Sequence, residues 1–282
     1  MPVDAELAAH WAEEGYVVVR GLFSATRTAR LQVICEAILE QWRVSNPETG
    51  KFGGDRDSTC MRHLNHSGYF RNGADGAVEL MEAIADPRVL GVCQSILRET
   101  PLFRCTSLFC SPLDGNKDGS WHRDSQFHHP DPDEEKAAVS ELNEEGNSVQ
   151  LQVALVASDD VEVVPGSHLR WDTGAEFDIR RADNGANSQS SQMPGALRVA
   201  LQPGDAVAFN PYGLHRGRYH AEKLRRTLML TYTKKSKPRF DYFSDQPWFD
   251  ETGYLDGLGA EARMFFDAFV EEYQSQWQAP KK

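Results

Sequence analysis

Between Leu102 and Thr233 the sequence breaks into short β-like runs separated by turn residues. That pattern, more than any other, limits the folds open to the chain. The runs are Leu102–Cys110, Val149–Ala157, Val161–Val164, Leu197–Leu201, Ala206–Phe209 and Thr227–Thr233. Short strands with turn signals between them point to a sandwich or barrel rather than to a βαβ sheet. The flanks are different. Ala5–Glu14 has helical character, and Tyr16-Val17-Val18-Val19, bounded by Gly15 and Gly21, reads as a strand. Ser24 caps a helix running from Ala25 to about Val44, whose apolar residues Leu31, Ile34, Cys35, Ile38, Leu39 and Trp42 recur at helical spacing. Met81–Leu97 reads as one further helix, and Ala260–Trp277 as an amphipathic C-terminal one. Ser45–Gly76 is polar and glycine-rich without sustained periodicity, the signature of a long binding loop or lid. No repeat is present; Asn184–Ser191, polar and small, reads as a surface loop. The expectation is a single domain over residues 1–282, mainly β with flanking α-helices. It has a helical N-terminal part at about 4–98, a two-sheet β core at about 102–235 and a C-terminal helix at about 258–277.

Composition narrows the function classes. At 282 residues the chain is long enough to bury a full core without staples. Its 40% hydrophobic content and 10% aromatic content exclude a disordered chain. The net charge of −12 argues against a nucleic-acid footprint and against docking on an anionic membrane. No run approaches the ~18 apolar residues of a membrane span. Met1–Leu22 carries Asp4, Glu6, Glu13, Glu14 and Arg20, unlike a signal peptide. Five cysteines (Cys35, Cys60, Cys93, Cys105, Cys110) without CxxC spacing argue against a disulfide framework or a zinc knot, and Cys105 and Cys110 read as core. The expected setting is cytoplasmic, the expected partner a small molecule.

The chemistry is concentrated in Trp121-His122-Arg123-Asp124. In an extended segment residues i and i+2 share a face, so His122 and Asp124 converge on one ion. One imidazole and one carboxylate leave a second histidine to find, and two His with one carboxylate is the donor set of non-haem Fe(II) oxygenases. His128 and His129 lie too near in sequence, in a segment heading into Pro130, and His168 closes the turn Val164-Pro165-Gly166-Ser167. His215, between the run Ala206–Phe209 and the strand Thr227–Thr233, is the better placed, with His220 next. Arg225-Arg226 opens that last strand; alternation sends one arginine inward, where it needs an anionic partner.

Taken together, His122-x-Asp124, the Pro-Gly-Ser-His turn at 165–168, Asn210-Pro211-x-x-x-His215 and Arg226 eleven residues on resemble the phytanoyl-CoA dioxygenase family. The opening Tyr-Val-Val-Val-Arg-Gly-Leu-Phe is also similar to that family's, and the resemblance covers about residues 5–235. It implies a double-stranded β-helix (jelly-roll, cupin-like) core and a 2-oxoglutarate-dependent oxygenase. The cofactor would be Fe(2+), held by His122, Asp124 and His215; 2-oxoglutarate would be the cosubstrate, gripped by Arg226, and O2 the oxidant. The implied reaction hydroxylates a small-molecule metabolite, with release of succinate and CO2. Asp124 is intact, whereas related halogenases replace this carboxylate, which favours hydroxylation or desaturation. The chain departs from the family pattern in a short turn at Ala157–Asp160 and in an acidic segment, Pro130–Asn147, with seven acidic residues. That segment reads as a solvated insertion or as a lid repelling anions. Substrate contacts are expected from Arg62, His63, Asn65, His66, Tyr69 and Arg71, with Gln150 and Gln152 lining the pocket and Trp121 and Phe127 as walls. The acid excess disfavours a highly anionic CoA ester. Two rival readings stand beside this one: a non-oxidative jelly-roll metalloenzyme (isomerase or hydrolase) and a metal-free cupin-like binding protein.

Overall fold

The computed structural model describes residues 4–47, 58–70, 76–142 and 148–278. Asp4 accepts from the Leu7 amide to start α1 (Ala5–Glu14), which ends at Gly15 with φ +74°. That glycine is required twice over: its backbone is left-handed, and a Cβ there would fall 2.3 Å from Nδ1 of His168. After β1 (Tyr16–Val19), Ser24 caps α2 (Ala25–Val44). The segment expected to be one helix at 81–97 is two, α3 (Ala77–Ile84) and α4 (Pro87–Leu97). Pro87 has no N–H for the preceding turn and stands instead at the first position of α4, which Asp86 caps through the Arg88 amide.

Nine strands are assigned among the described residues: β2 (Cys60–Arg62), β3 (Pro101–Cys110), β4 (Ser148–Ala154), β5 (Ser158–Val163), β6 (Leu197–Leu201), β7 (Ala206–Phe209), β8 (His215–Gly217) and β9 (Arg226–Lys234) join β1. They form a six-stranded antiparallel sheet, ordered β1-β7-β4-β9-β3-β2, and a three-stranded sheet, β6-β5-β8. The inner faces meet through Val161, Val163, Val199 and Leu201 on one side and Ala154, Val207 and Phe209 on the other. This is the jelly-roll architecture. The long loop of the sequence reading holds β2, which pairs with β3 from Cys60↔Phe109 to Arg62↔Ser107. The segment expected as an acidic insertion holds α5 (Pro132–Leu142). Two further helical stretches, α6 (Gly174–Arg180) and the four-residue α7 (Ala182–Gly185), precede β6.

The large sheet is covered on both faces, so polarity does not mark its two sides, but parity does. On β9, Leu228, Leu230 and Tyr232 enter the core shared with α2, α3, α4 and α8 (Ala260–Trp277). On β4, Val149, Leu151 and Val153 do the same. The alternate residues, Met229, Thr231 and Thr233 on β9 and Ser148, Gln150 and Gln152 on β4, line a cavity inside the roll. α8 is anchored by Phe266, Phe269, Tyr273 and Trp277 around Phe249 and Phe103, each burying on the order of 2 kcal/mol of apolar surface. No helix among the described residues is long and apolar enough to cross a membrane.

Candidate metal centre

His122 and His215 are brought together by the backbone. The two residues form an antiparallel bridge, His122 N to His215 O at 3.1 Å and His215 N to His122 O at 3.0 Å. Their rings lie 4.2 Å apart, centroid to centroid. Arg123 is extended (φ −112°, ψ 141°), so Asp124 returns to the same side before a single 3-10 turn, Asp124–Phe127, begins. The pair therefore converges as expected, but from a bridge residue and the start of a turn rather than from a continuous strand. Asp124 Oδ1 stands 3.6 Å from Nε2 of both His122 and His215. One donor atom from each of the three residues falls within 4.8 Å of the others.

Second contacts determine which atoms are left free. His122 Nδ1 donates to the Ser120 carbonyl at 2.7 Å and His215 Nδ1 to the Gly213 carbonyl at 2.9 Å. These bonds place the proton on Nδ1 and leave both Nε2 lone pairs facing Asp124. Gln150 Nε2 donates to Asp124 Oδ2 at 2.5 Å, leaving Oδ1 toward the histidines. Burial, reinforced by the neighbouring His122 and opposed by Asp124, holds His215 down to about 4, so its imidazole is neutral and a competent ligand at neutral pH. The set suits a divalent transition metal bound through two nitrogens and one monodentate carboxylate oxygen.

Arg123 anchors this segment from behind, a role the sequence reading missed although the residue stands between the two ligands. Its buried guanidinium donates to Asp172 at 2.9 Å, to the carbonyls of Ser167 (2.8 Å) and Tyr212 (2.5 Å), and to that of Arg170. Asp172 also pairs with Arg180, which reaches Glu135 of α5 at 2.9 Å, and Glu135 accepts from Ser125 Oγ at 2.8 Å. The side chains of Arg123, Asp172, Arg180 and Glu135 are all fully buried. Part of the acidic segment is thus a buried strut for the ligand loop and not a solvated insertion.

The cavity holding these ligands measures about 530 Å³. The arginine expected to face it does not. Arg226 shares parity with Leu228 and Leu230, points to the helical side and pairs with Glu36 of α2 at 2.7 Å and 3.1 Å. Arg225 lines the cavity instead. It is 1% exposed, lies over the Tyr219 and Phe109 rings and donates to the Arg218 carbonyl, with no carboxylate partner among the described residues. Of the candidate recognition residues, Arg62, Gln150, Gln152 and Phe127 line the cavity. His63 is buried beneath Tyr242 and Trp248, pushed down to about 3 by burial and the adjacent Arg62. Asn65 is bound to Gln246, Tyr254 and Thr106, His66 caps the Gly68 amide, and Tyr69 is in the core. Trp121 is buried under Arg216 and bonded to the Ser190 carbonyl. Arg71, Glu144 and Glu145 lie outside the described residues. His168 contacts the Ala12 carbonyl and His220 neighbours Asp118, both away from the ligands.

The phytanoyl-CoA dioxygenase family model matches residues 11–227. None of the curated protein sequences compared matches the chain significantly. Among solved structures, EctD from S. alaskensis with bound Fe aligns at TM-score 0.60 and 18% identity, over 88% of this chain and 83% of that one. The epimerase SnoN in complex with Fe3+, alpha ketoglutarate and nogalamycin RO aligns at 0.53 and 19%, over 90% and 91%. The ThoJ-Ni complex, a non-heme monooxygenase, aligns at 0.57 and 15%, over 96% and 98%. At these identities the likeness is one of fold.

Proposed function

The chain belongs to the phytanoyl-CoA dioxygenase family, and from that premise we propose that it is a non-haem Fe(II)- and 2-oxoglutarate-dependent dioxygenase. Its reaction would be hydroxylation of a small-molecule metabolite at a C–H bond, with release of succinate and CO2. The observation that carries this reading is the donor set. His122 Nε2, Asp124 Oδ1 and His215 Nε2 are free and convergent, while the remaining donor of each side chain is engaged elsewhere. Iron held there supplies the oxidative chemistry with O2 and the cosubstrate. The chain's own residues bind and orient. Gln150 holds Asp124 Oδ2, so Oδ1 would be the oxygen offered to iron, and Arg225 would take the role first assigned to Arg226, offering an uncompensated guanidinium to the distal carboxylate of 2-oxoglutarate. Five free cysteines fit a cytoplasmic setting.

Succinate release tests the reading. The protein with Fe(II), O2 and 2-oxoglutarate is expected to form succinate, faster when a substrate is added, and the product is expected to gain one oxygen. Arg225→Met is expected to raise the 2-oxoglutarate concentration for half-maximal rate roughly tenfold or more, with Arg226→Met within about threefold of the parent. Fold neighbours include an epimerase and a carbocyclase, so product mass separates those outcomes from hydroxylation. Metal-dependent turnover without consumption of 2-oxoglutarate identifies the non-oxidative metalloenzyme and overturns the proposal. Failure to bind metal on reconstitution identifies the binding protein.

A further inference from the structure

The charge of the cavity is opposite to that of the molecule. Among the described residues that line it, Asp124 is the one acid, against Arg62, Arg104, Arg216, Arg225, Lys237 and Arg239. Arg216 is matched by Glu162 and lies over Trp121. Three guanidiniums on the remaining wall outnumber the carboxylates beside them among the described residues. Arg104 and Arg239 share a single carboxylate, Asp241, at 2.5 Å and 3.1 Å. Arg62 has no carboxylate partner among the described residues; Ser107 Oγ at 3.0 Å is its hydrogen-bond acceptor. Arg62 and Arg104 are held over the same ring, Phe243, with guanidinium carbons 4.9 Å and 5.0 Å from its centroid. Arg104 Nε is buried without an acceptor. His128 beside them is depressed by burial and by the charges of Arg239 and Arg104.

Arg62 and Arg104 are fixed over one ring, and the single carboxylate beside them, Asp241, is shared with the more exposed Arg239; two guanidiniums so poorly matched on a cleft wall are costly unless an anion completes them. We infer that this cluster receives an oxyanion group, carboxylate or phosphate, on the substrate. The inference rests on the oxygenase reading and deepens it. Position supports it: Arg62 pairs with Ser107, which lies opposite Met229, which lies opposite Gln152. Three interstrand spacings, about 14 Å, separate the Arg62 backbone from the strand whose Gln150 holds Asp124. A small molecule anchored by its anion at Arg62 and Arg104 reaches across the sheet to the ligand end. Arg225, beyond Thr227 on the same face, is left to the cosubstrate. The net charge of −12, which counted against anionic substrates in the sequence, is a sum over the whole chain and does not describe this cleft.

The test uses the full chain loaded anaerobically with Fe(II) and 2-oxoglutarate. It is titrated with matched probes: phenylacetate against phenylacetamide, and phenyl phosphate against phenol. At least one anion is expected to bind roughly tenfold or more tightly than its neutral partner. Whichever anion wins distinguishes carboxylate from phosphate. The preference is expected to fall below about threefold in Arg62→Met and in Arg104→Met and to survive in part in Arg62→Lys, with 2-oxoglutarate affinity unchanged. Three results overturn the inference: no anion outbinds its neutral partner, the preference persists in both Met variants, or it is lost only together with 2-oxoglutarate binding. If the iron and 2-oxoglutarate complex does not form, the oxygenase reading fails on its own. The same probe pairs titrated against the metal-free protein then decide the anion site alone.

Discussion

Gln150 controls how Asp124 presents itself. Its side-chain amide occupies Oδ2 at 2.5 Å, and the carboxylate is otherwise half exposed to the cavity. Gln150→Leu frees that oxygen without removing a ligand, so the carboxylate rotates or becomes bidentate. The expected outcome is a loss of Fe(II) affinity of about tenfold or more, read by titration of the metal-free protein, with thermal stability little changed. Equal affinity in the variant removes Gln150 from the centre. At this scale the convergence of His122, Asp124 and His215 was legible because HxD and a histidine before the last strand are short-range patterns. The arginine was not, because the choice between Arg225 and Arg226 turns on a one-residue parity. Parity becomes visible only once Leu228, Leu230 and Tyr232 are seen to share a face with Arg226.

Arg123, Asp172, Arg180 and Glu135 tie α5, α6 and the ligand segment into one buried ionic chain. Removing one member strands its partners without water. Glu135→Leu is therefore expected to cost about 3–5 kcal/mol in urea unfolding, since it leaves Arg180 with fewer acceptors and Ser125 with none. A change under ~1 kcal/mol contradicts the strut. Local pattern foretold the long helices α1, α2 and α8 and most of the strands within a few residues. It failed where the segment was short or its partner distant. β2 is three residues long and owes its conformation to pairing with β3. The periodicity of α5 is weak, and its buried side carries an acid, Glu135, beside Val139, made tolerable by Arg180 and Ser125. The break between α3 and α4 was within reach, because Asp86-Pro87 is a cap followed by a helix-initiating proline.

Across the whole molecule, two sheets and a helical cover bring together residues 93 positions apart, and the jelly roll does so with His122, Asp124 and His215 at one end of a cavity and guanidiniums along its wall. Net charge misled about the cleft, since acids such as Asp131, Asp133 and Glu134 lie exposed while the cleft gathers arginines from β2, β3 and the segment after β9. The account stands on iron and 2-oxoglutarate meeting at His122, Asp124 and His215. Anaerobic addition of Fe(II) to the protein with 2-oxoglutarate is the most direct measurement, following the weak metal-to-ligand charge-transfer band. The account predicts a band that saturates at one iron per chain and is absent in His215→Ala. A His215→Ala protein that develops the same band, or a parent protein that binds iron and never develops it, contradicts the account.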